Sequence, residues 1–282
     1  MHKPYLSPSD LDHALGALAQ GGTKVIAGGT DVFPSLQQGS FRQSLLNVSR
    51  IGELQTISQT ANDWVFGAAV TWSDIVRAQI PAAFDGLKQA AREVGSVQIQ
   101  NAGTIGGNLC NASPAADGVP ALLALDARVE LASQARGRRR LPLAEFLLGV
   151  RRTALGADEI MTAVIVPKLP DRAGASFVKL GSRRYLVISI AMVSVVLECD
   201  ATGRIAWGRV AVGACSPVAQ RLPLLEAAMV GLRPEEVVVE PPHLAPLSPI
   251  DDVRGTVAYR LDSVGKLCER AIRKAAGHVL GF

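Results

Sequence analysis

The sequence contains few cysteines, and none of them forms a metal-binding pair. Cys110, Cys199, Cys215 and Cys268 lie far apart along the 282 residues, without a CxxC motif. Zinc and iron–sulfur sites use closely spaced cysteines, so the sequence predicts neither within this chain. We interpret the four residues as reduced, small apolar side chains of a cytoplasmic protein.

Aromatic residues, excess charge and long apolar runs are also scarce. Aromatic residues make up 5% of the chain, and 29 basic against 25 acidic residues give a net charge of +4, which argues against a nucleic-acid-binding surface. The longest apolar stretch, residues 186–197, contains Ser189 and Ser194 and is shorter than the roughly 20 residues that span a bilayer. Since the first ten residues lack the apolar segment of a signal peptide, we expect a soluble cytoplasmic protein without a membrane span.

The sequence is rich in apolar residues, which make up 48% of it and suffice for a sizeable core. The chain length predicts two domains. Residues 167–171 (PKLPD) are the best candidate for the connection, because the two prolines disfavour both helix and sheet.

Before this connection the pattern predicts a small βαβ-like unit. Ser7 is a candidate cap for a first helix, whose apolar face would hold Leu11, Ala14, Leu15 and Leu18. Strands are predicted at residues 24–27 and 44–48, with a short helix from Thr30 through Leu36 between them. Farther along, Arg136, Arg138, Arg139 and Arg140 form a basic cluster, interpreted as a solvated turn, with docking to an acidic partner as the alternative.

After the connection the pattern changes to an α+β arrangement. Residues 175–180, 188–198 and 204–213 are predicted to form successive antiparallel strands. Helices are predicted near residues 222–230 and 256–276.

The first of two glycine-rich segments is VIAGGTD at residues 25–31. A strand that ends in Gly28 and Gly29 lets a ligand approach the main chain closely, because no Cβ intervenes. The N–H groups that follow at Thr30 and Asp31 favour a phosphate. Taken alone, the segment is also compatible with a tight turn that binds nothing.

The second segment is NAGTIGGNLCNASPAAD at residues 101–117. Its glycines permit close approach, Thr104 and Asn108 can donate hydrogen bonds to a pyrophosphate, and Asp117 can accept one from a ribose hydroxyl. We expect a long ordered loop here, and loops of this length in compact domains are usually functional. The two segments together predict a two-part cradle for a dinucleotide.

At these segments the chain resembles the FAD-binding subunits of the molybdenum hydroxylases, the group of xanthine dehydrogenase and carbon monoxide dehydrogenase. AGGTD at residues 27–31 and TIGGNLCNASPAAD at residues 104–117 look like that family's two FAD loops. RLPLAEF at residues 140–146 and FVKL at residues 177–180 extend the likeness over nearly the whole chain.

The resemblance implies an α+β fold in two parts. A PCMH-type (VAO-like) FAD-binding domain is expected at residues 1–168, with lobes at about 1–53 and 54–168. A C-terminal flavoprotein domain of antiparallel strands and helices is expected at residues 172–282.

The resemblance also implies how FAD is bound. The pyrophosphate is expected against the main chain of Val25, Ile26, Ala27, Gly28, Gly29, Thr30, Asp31 and Val32, and of Thr104, Ile105, Gly106, Gly107 and Asn108. Asp117 is expected at the ribityl or ribose portion, Met161 beside the flavin through its backbone, and Lys179 at the isoalloxazine edge, where its charge would favour the reduced anionic flavin. No catalytic residue or metal ligand is expected. Val94 and Val187 depart from the family, whose members often carry an aromatic and an acidic residue there.

The implied function is electron transfer by an oxidoreductase subunit. Electrons are expected to pass from the clusters of a 2Fe–2S small subunit to FAD and on to NAD or another acceptor, while a molybdopterin-binding large subunit carries out the hydroxylation. Two alternatives are a stand-alone FAD-dependent oxidoreductase of the same fold and a cofactor-free assembly protein.

Overall fold

The computed structural model describes residues 5–35, 43–183 and 186–280, with side chains up to residue 277. The chain begins with a small parallel sheet and one helix. These elements are β1 (Tyr5–Leu6), α1 (Leu11–Ala19), β2 (Thr23–Ile26) and β3 (Ser44–Asn47). The strand order is β1-β3-β2, and both pairings are parallel, as the βαβ-like pattern predicts.

Two local predictions in this lobe differ from the structure. Asp10, not Ser7, caps α1, because its Oδ1 accepts a 2.9 Å hydrogen bond from the His13 N–H. Residues 30–35 form turns instead of the predicted helix. Pro34 has no N–H to donate to the Thr30 carbonyl, and Leu36 lies outside the described residues. The predicted apolar face of α1 is confirmed, since its four residues are buried.

The second lobe is built on an antiparallel sheet with several short helices. Its strand order is β4-β5-β10-β6-β7. The elements are β4 (Ile57–Gln59), β5 (Asp63–Gly67), α2 (Trp72–Arg77), α3 (Asp85–Glu93), α4 (Val97–Ala102), α5 (Ile105–Asn111), α6 (Gly118–Ala124), β6 (Arg128–Ser133), β7 (Gly137–Pro142), α7 (Leu143–Phe146), β8 (Leu147–Gly149), β9 (Arg152–Thr153) and β10 (Glu159–Pro167). The long loop expected at residues 101–117 is therefore largely helical, because Ser96 caps α4 and Thr104 caps α5.

The C-terminal part is a four-stranded antiparallel sheet covered by helices on both faces. It consists of β11 (Gly174–Leu180), β12 (Ala191–Cys199), β13 (Ile205–Gly213), β14 (Gln220–Arg221), α8 (Pro223–Ala228) and α9 (Val257–Leu280). Alternate residues point to opposite faces, so that Val193 packs towards α9 and Met192 towards the helices of the second lobe, α3 and α6. The junction between the two parts is thus a continuous apolar core.

The basic segment is solvent-exposed as predicted, but only Arg136 lies in a turn, and the other three arginines lie on a strand. This strand is β7, at the edge of the second-lobe sheet, where Arg138 and Arg140 bind Glu130 at 2.7 and 2.9 Å. On the other side of the strand Arg139 binds the buried Glu159 at 2.7 Å. Carboxylates of β6 and β10 therefore pair with these arginines, whose side chains remain 46–59% exposed.

Candidate functional site

The two glycine-rich segments meet in the structure at Gly28. A Cβ on Gly28 would lie 1.7 Å from the carbonyl oxygen of Ala102 and 3.1 Å from the nitrogen of Gly103. Only glycine allows such an approach of two main chains. The expectation that these distant segments converge is therefore confirmed by their geometry.

A cleft of about 630 Å³ lies where the segments meet, within the range of about 300–1,000 Å³ that is usual for small-molecule sites. Eleven of the sixteen predicted site residues line it, namely Val25, Ile26, Ala27, Gly28, Gly29, Thr30, Asp31, Val32, Thr104, Gly107 and Asn108. The other five, Ile105, Gly106, Asp117, Met161 and Lys179, are not among its lining residues.

The first segment presents main-chain donors that have no partner within the described part of the chain. No described acceptor receives the N–H groups of Gly28, Gly29, Thr30 and Asp31. The chain turns here because Gly29 has a φ of +70°, and the N–H groups of Val32 and Phe33 both donate to its carbonyl. Four consecutive free donors can bind an anion.

The second segment differs, because the N–H groups of residues 105–108 already donate within the chain. Ile105 donates to the Val70 carbonyl at 2.9 Å, and Gly106 donates to the Ala68 carbonyl at 3.0 Å. In the next turn, the N–H of Gly107 donates to Thr104 Oγ1 at 3.0 Å, and that of Asn108 donates to the Thr104 carbonyl. Ile105 and Gly106 thus attach α5 to the segment that follows β5, while Gly107 and Asn108 face the cleft.

One side-chain atom at the cleft lacks a partner. Asn108 Oδ1 is buried and accepts no hydrogen bond within the described structure. Buried carbonyl oxygens are nearly always satisfied, which makes this atom an exception next to the cleft that Asn108 lines. Trp72 and Val94 provide apolar wall beside it.

Two cations at the cleft were missed by the sequence reasoning. Lys24 and Arg151 line the cleft together with the acidic Asp31. Arg151 lies in the turn between β8 and β9, with a φ of +56°, and its guanidinium donates to the neutral Asn111 amide. Lys24 directly precedes the first segment, whereas nothing in the sequence places Arg151 near it.

Asp117 and Lys179 contact each other at the junction with the C-terminal sheet. Lys179 Nζ lies 2.8 Å from Asp117 Oδ2, and both side chains are buried. Asp117 Oδ1 accepts a 2.7 Å hydrogen bond from the buried Ser189 hydroxyl. Burial raises the pKa of Asp117, and the contacts with Lys179 and Ser189 oppose this shift.

Met161 lies in the core on β10, paired with Leu131 of β6 just before a bulge. Its side chain contributes to packing between the sheet and its helices. Within the described residues, no group of three or more His, Cys, Asp or Glu side chains has an arrangement that could hold a metal ion, and no helix is long and apolar enough to cross a membrane.

Two lobes that enclose a glycine-lined cleft with free main-chain donors define a dinucleotide-binding protein. Residues 1–169 match the family model of the FAD-binding domain in molybdopterin dehydrogenase, and residues 176–275 match that of the CO dehydrogenase flavoprotein C-terminal domain. The chain therefore belongs to the FAD-binding subunits of the molybdenum hydroxylases, and its cofactor is FAD.

Individual relatives agree with this assignment. The chain is 34% identical to the nicotine 6-hydroxylase medium subunit of Paenarthrobacter nicotinovorans, over 96% of each chain. It is 36% identical to the nicotinate dehydrogenase FAD-subunit of Eubacterium barkeri, over 72% of this chain and 71% of that one. The fold superposes with a TM-score of 0.86 on carbon monoxide dehydrogenase from Hydrogenophaga pseudoflava, at 26% identity over 99% of this chain and 98% of that one. The oxidoreductase class and the α+β flavoprotein fold implied by the two loops are confirmed.

Proposed function

We propose that the cleft between the two segments holds FAD, with the pyrophosphate against residues 25–32 and the ribityl hydroxyls near Asn108. The observation that carries this proposal is the contact of Gly28 with Ala102, which brings the free N–H groups of the first segment and the side chains of the second to one cleft. We also propose that the chain divides into the two predicted domains, 1–168 and 172–282. The second domain packs against the first without lining the cleft.

The two segments have different roles in this proposal. The first supplies main-chain donors, because four of its N–H groups have no described acceptor. The second supplies shape and side chains, because the N–H groups of residues 105–108 already donate within the chain. Ile105 and Gly106 act on the cofactor only by holding α5 in place.

Lys24 and Arg151 supply the charge that a diphosphate requires. Charge-assisted hydrogen bonds from arginine to phosphate are about twice as strong as neutral ones. Carboxylates of β6 and β10 pair with the arginines of β7, whereas Arg151 has the neutral Asn111 as its hydrogen-bond partner. Its positive charge remains available at the cleft.

The bound flavin supplies one- and two-electron redox chemistry, and the chain contributes binding, orientation and the exclusion of water. Asp117, Met161 and Lys179 act from outside the lining of the cleft. Since Asp117 compensates the charge of Lys179, we propose that Lys179 acts on the cofactor as part of an ion pair and not as an isolated cation.

The assembly in which the chain works is also proposed. The names of its relatives, such as the carbon monoxide dehydrogenase medium chain and the caffeine dehydrogenase subunit beta, describe one subunit of a larger enzyme. We propose a molybdopterin-binding large subunit and a 2Fe–2S small subunit as partners, electron transfer from the clusters to FAD and on to NAD or another acceptor, and a cytoplasmic location.

The test is titration of the purified, flavin-free chain with FAD and with FMN, followed by affinity purification of the tagged chain from its native cells. We expect FAD to bind at one site per chain and more tightly than FMN, because FMN has one phosphate for the same donors. Failure to bind FAD would support a cofactor-free assembly role. Bound FAD without a molybdenum or iron–sulfur subunit in the purified material would support the stand-alone oxidoreductase.

A further inference from the structure

A buried three-residue cluster joins the FAD-binding part of the chain to the C-terminal sheet. Asp117 immediately precedes α6, Lys179 lies near the end of β11, and Ser189 precedes β12. The ammonium of Lys179 lies 2.8 Å from one carboxylate oxygen of Asp117, and the hydroxyl of Ser189 donates to the other at 2.7 Å. Asp117 and Ser189 are 8% and 2% exposed, so water does not satisfy these groups.

The main chain next to Ser189 is fixed at both polar groups of Ile190. The N–H of Ile190 donates to the Leu180 carbonyl at 2.8 Å. The carbonyl of Ile190 accepts from the guanidinium of Arg260, a buried residue of α9 that also binds Asp252 at 2.7 Å. The hydroxyl of Ser189 is therefore presented by a rigid point of the C-terminal sheet.

The cluster reaches the wall of the cleft at two places. Lys179 Nζ donates to the carbonyl of Glu93 at 3.3 Å, next to the cleft residue Val94. Asp117 precedes Gly118, where an added Cβ would lie 2.4 Å from the Trp72 ring and 3.1 Å from Asn108 Oδ1. A displacement of Asp117 is thus transmitted to the side chains that line the cleft.

We propose that Ser189 is a positioning residue for the cofactor site: through Asp117 and Lys179 it holds the cleft wall at Val94, Trp72 and Asn108 in the form that binds FAD. This inference rests on the proposed function of the cleft. Ser189 does not line the cleft. It acts by fixing the carboxylate of Asp117, which fixes the ammonium of Lys179.

The chain offers a matched control at Ser194. This serine is also buried and lies on β12, but its hydroxyl donates to the Ser176 carbonyl at 3.1 Å, away from Asp117. Ser189→Ala and Ser194→Ala each remove one buried hydroxyl, the first just before β12 and the second on it. Any difference between them in FAD binding reflects the contact with Asp117 and not the general effect of losing a buried hydrogen bond.

The experiment measures the Kd of FAD for the full flavin-free chain, the visible spectrum of the bound flavin, and the thermal unfolding of each variant. If the cleft wall shifts when Asp117 loses this hydrogen bond, FAD binding must restore it, and we expect Ser189→Ala to raise the Kd of FAD about tenfold. Ser194→Ala should change the Kd less than about twofold, because its hydroxyl binds a neutral carbonyl elsewhere. Ser189→Thr, which keeps the hydroxyl, should restore most of the binding.

A double-mutant cycle tests the route through Asp117. If Ser189 acts through that carboxylate, Ser189→Ala should have little further effect on the Kd in an Asp117→Asn chain. Fully additive effects, or equal effects of Ser189→Ala and Ser194→Ala on the Kd and the flavin spectrum, would overturn the inference. If Ser189→Ala does not fold, Ser189→Cys replaces it, because cysteine keeps the volume of the side chain but is a weaker donor. Its Kd and flavin spectrum are then compared with those of Ser194→Ala. A wild-type chain that binds no FAD would instead refute the proposed function.

Discussion

Replacing Gly28 by alanine tests the contact on which the cofactor site depends. The added Cβ would lie 1.7 Å from the carbonyl oxygen of Ala102 and 2.4 Å from its carbon, whereas real Cβ contacts stay above 3.0 Å. The main chains must therefore separate by at least 3.0 − 1.7 = 1.3 Å. Neither side of the contact is a flexible side chain that could rotate away.

The expected loss follows from this separation. Overpacking typically costs about 1–3 kcal/mol, and a rigid main-chain obstacle places Gly28→Ala at the upper end for the free energy of unfolding. A shift of this size also breaks hydrogen bonds from the first segment to a bound phosphate. One such charge-assisted bond is worth about 1.5–3 kcal/mol, or roughly a 10- to 150-fold rise in the Kd of FAD.

The assay is thermal unfolding of the flavin-free chain together with titration by FAD. Gly52→Ala is the matched control, because an added Cβ there meets nothing within 4 Å and neither glycine has a positive φ. We expect the control to resemble the wild type in both measurements. A Gly28→Ala chain that unfolds at the wild-type temperature and binds FAD with the wild-type Kd would refute the convergence of the two segments.

Three further predictions concern charge, pH and thiols. Arg151→Ala should raise the Kd of FAD about tenfold and make it less dependent on salt, as titrations at low and high ionic strength would show; an unchanged salt dependence would remove Arg151 from the site. The hydrogen bonds from Arg139 lower the pKa of Glu159, so the pair stabilises the fold above the unfolded pKa of about 4.3 and loses this effect as the pH falls through the folded value. Denaturant unfolding should therefore show Glu159→Gln less stable than the wild type at pH 7, with the difference shrinking below about pH 4; a constant difference would contradict the pairing. Burial raises the pKa of the Cys215 thiol to about 11, and its side chain is fully buried, so it should not react rapidly with a disulfide reagent at pH 8 until the chain is unfolded; rapid labelling of Cys215 in the folded chain would contradict this burial.

Several features in both parts of the chain could be predicted from local sequence patterns. The apolar spacing of α1 predicts its buried face, because that face depends on the helical period alone. Three of the four strands of the C-terminal sheet follow from their apolar runs to within about three residues, whereas the short β14 was not predicted. The two glycine-rich segments were recognised because glycine permits a close approach that other residues cannot make.

Other features could not be predicted, because they depend on pairs that are distant in sequence. The arginines of β7 form a basic cluster in the sequence, but the sheet places Glu130 and Glu159 beside them. Arg151 reaches the cleft only because the turn between β8 and β9 lies against the end of α5, where its N–H donates to the Ala112 carbonyl at 2.9 Å.

By itself the sequence indicated a dinucleotide cradle in a chain of mixed helices and strands, since glycine-rich turns and apolar periods are local properties of the chain, and its resemblance to the FAD-binding subunits implied that the dinucleotide is FAD. Only the tertiary structure decided which groups each of the two glycine-rich segments offers to the cleft. Main-chain N–H groups are alike in every sequence, and whether one is free or bonded depends on what lies opposite it. Those of residues 105–108 donate to Val70, Ala68 and Thr104, and nothing described accepts from those of residues 28–31. For the same reason, the sequence shows Lys179 only as a cation. The packing of the C-terminal sheet, to which Lys179 belongs, against the second lobe buries it in an ion pair with Asp117.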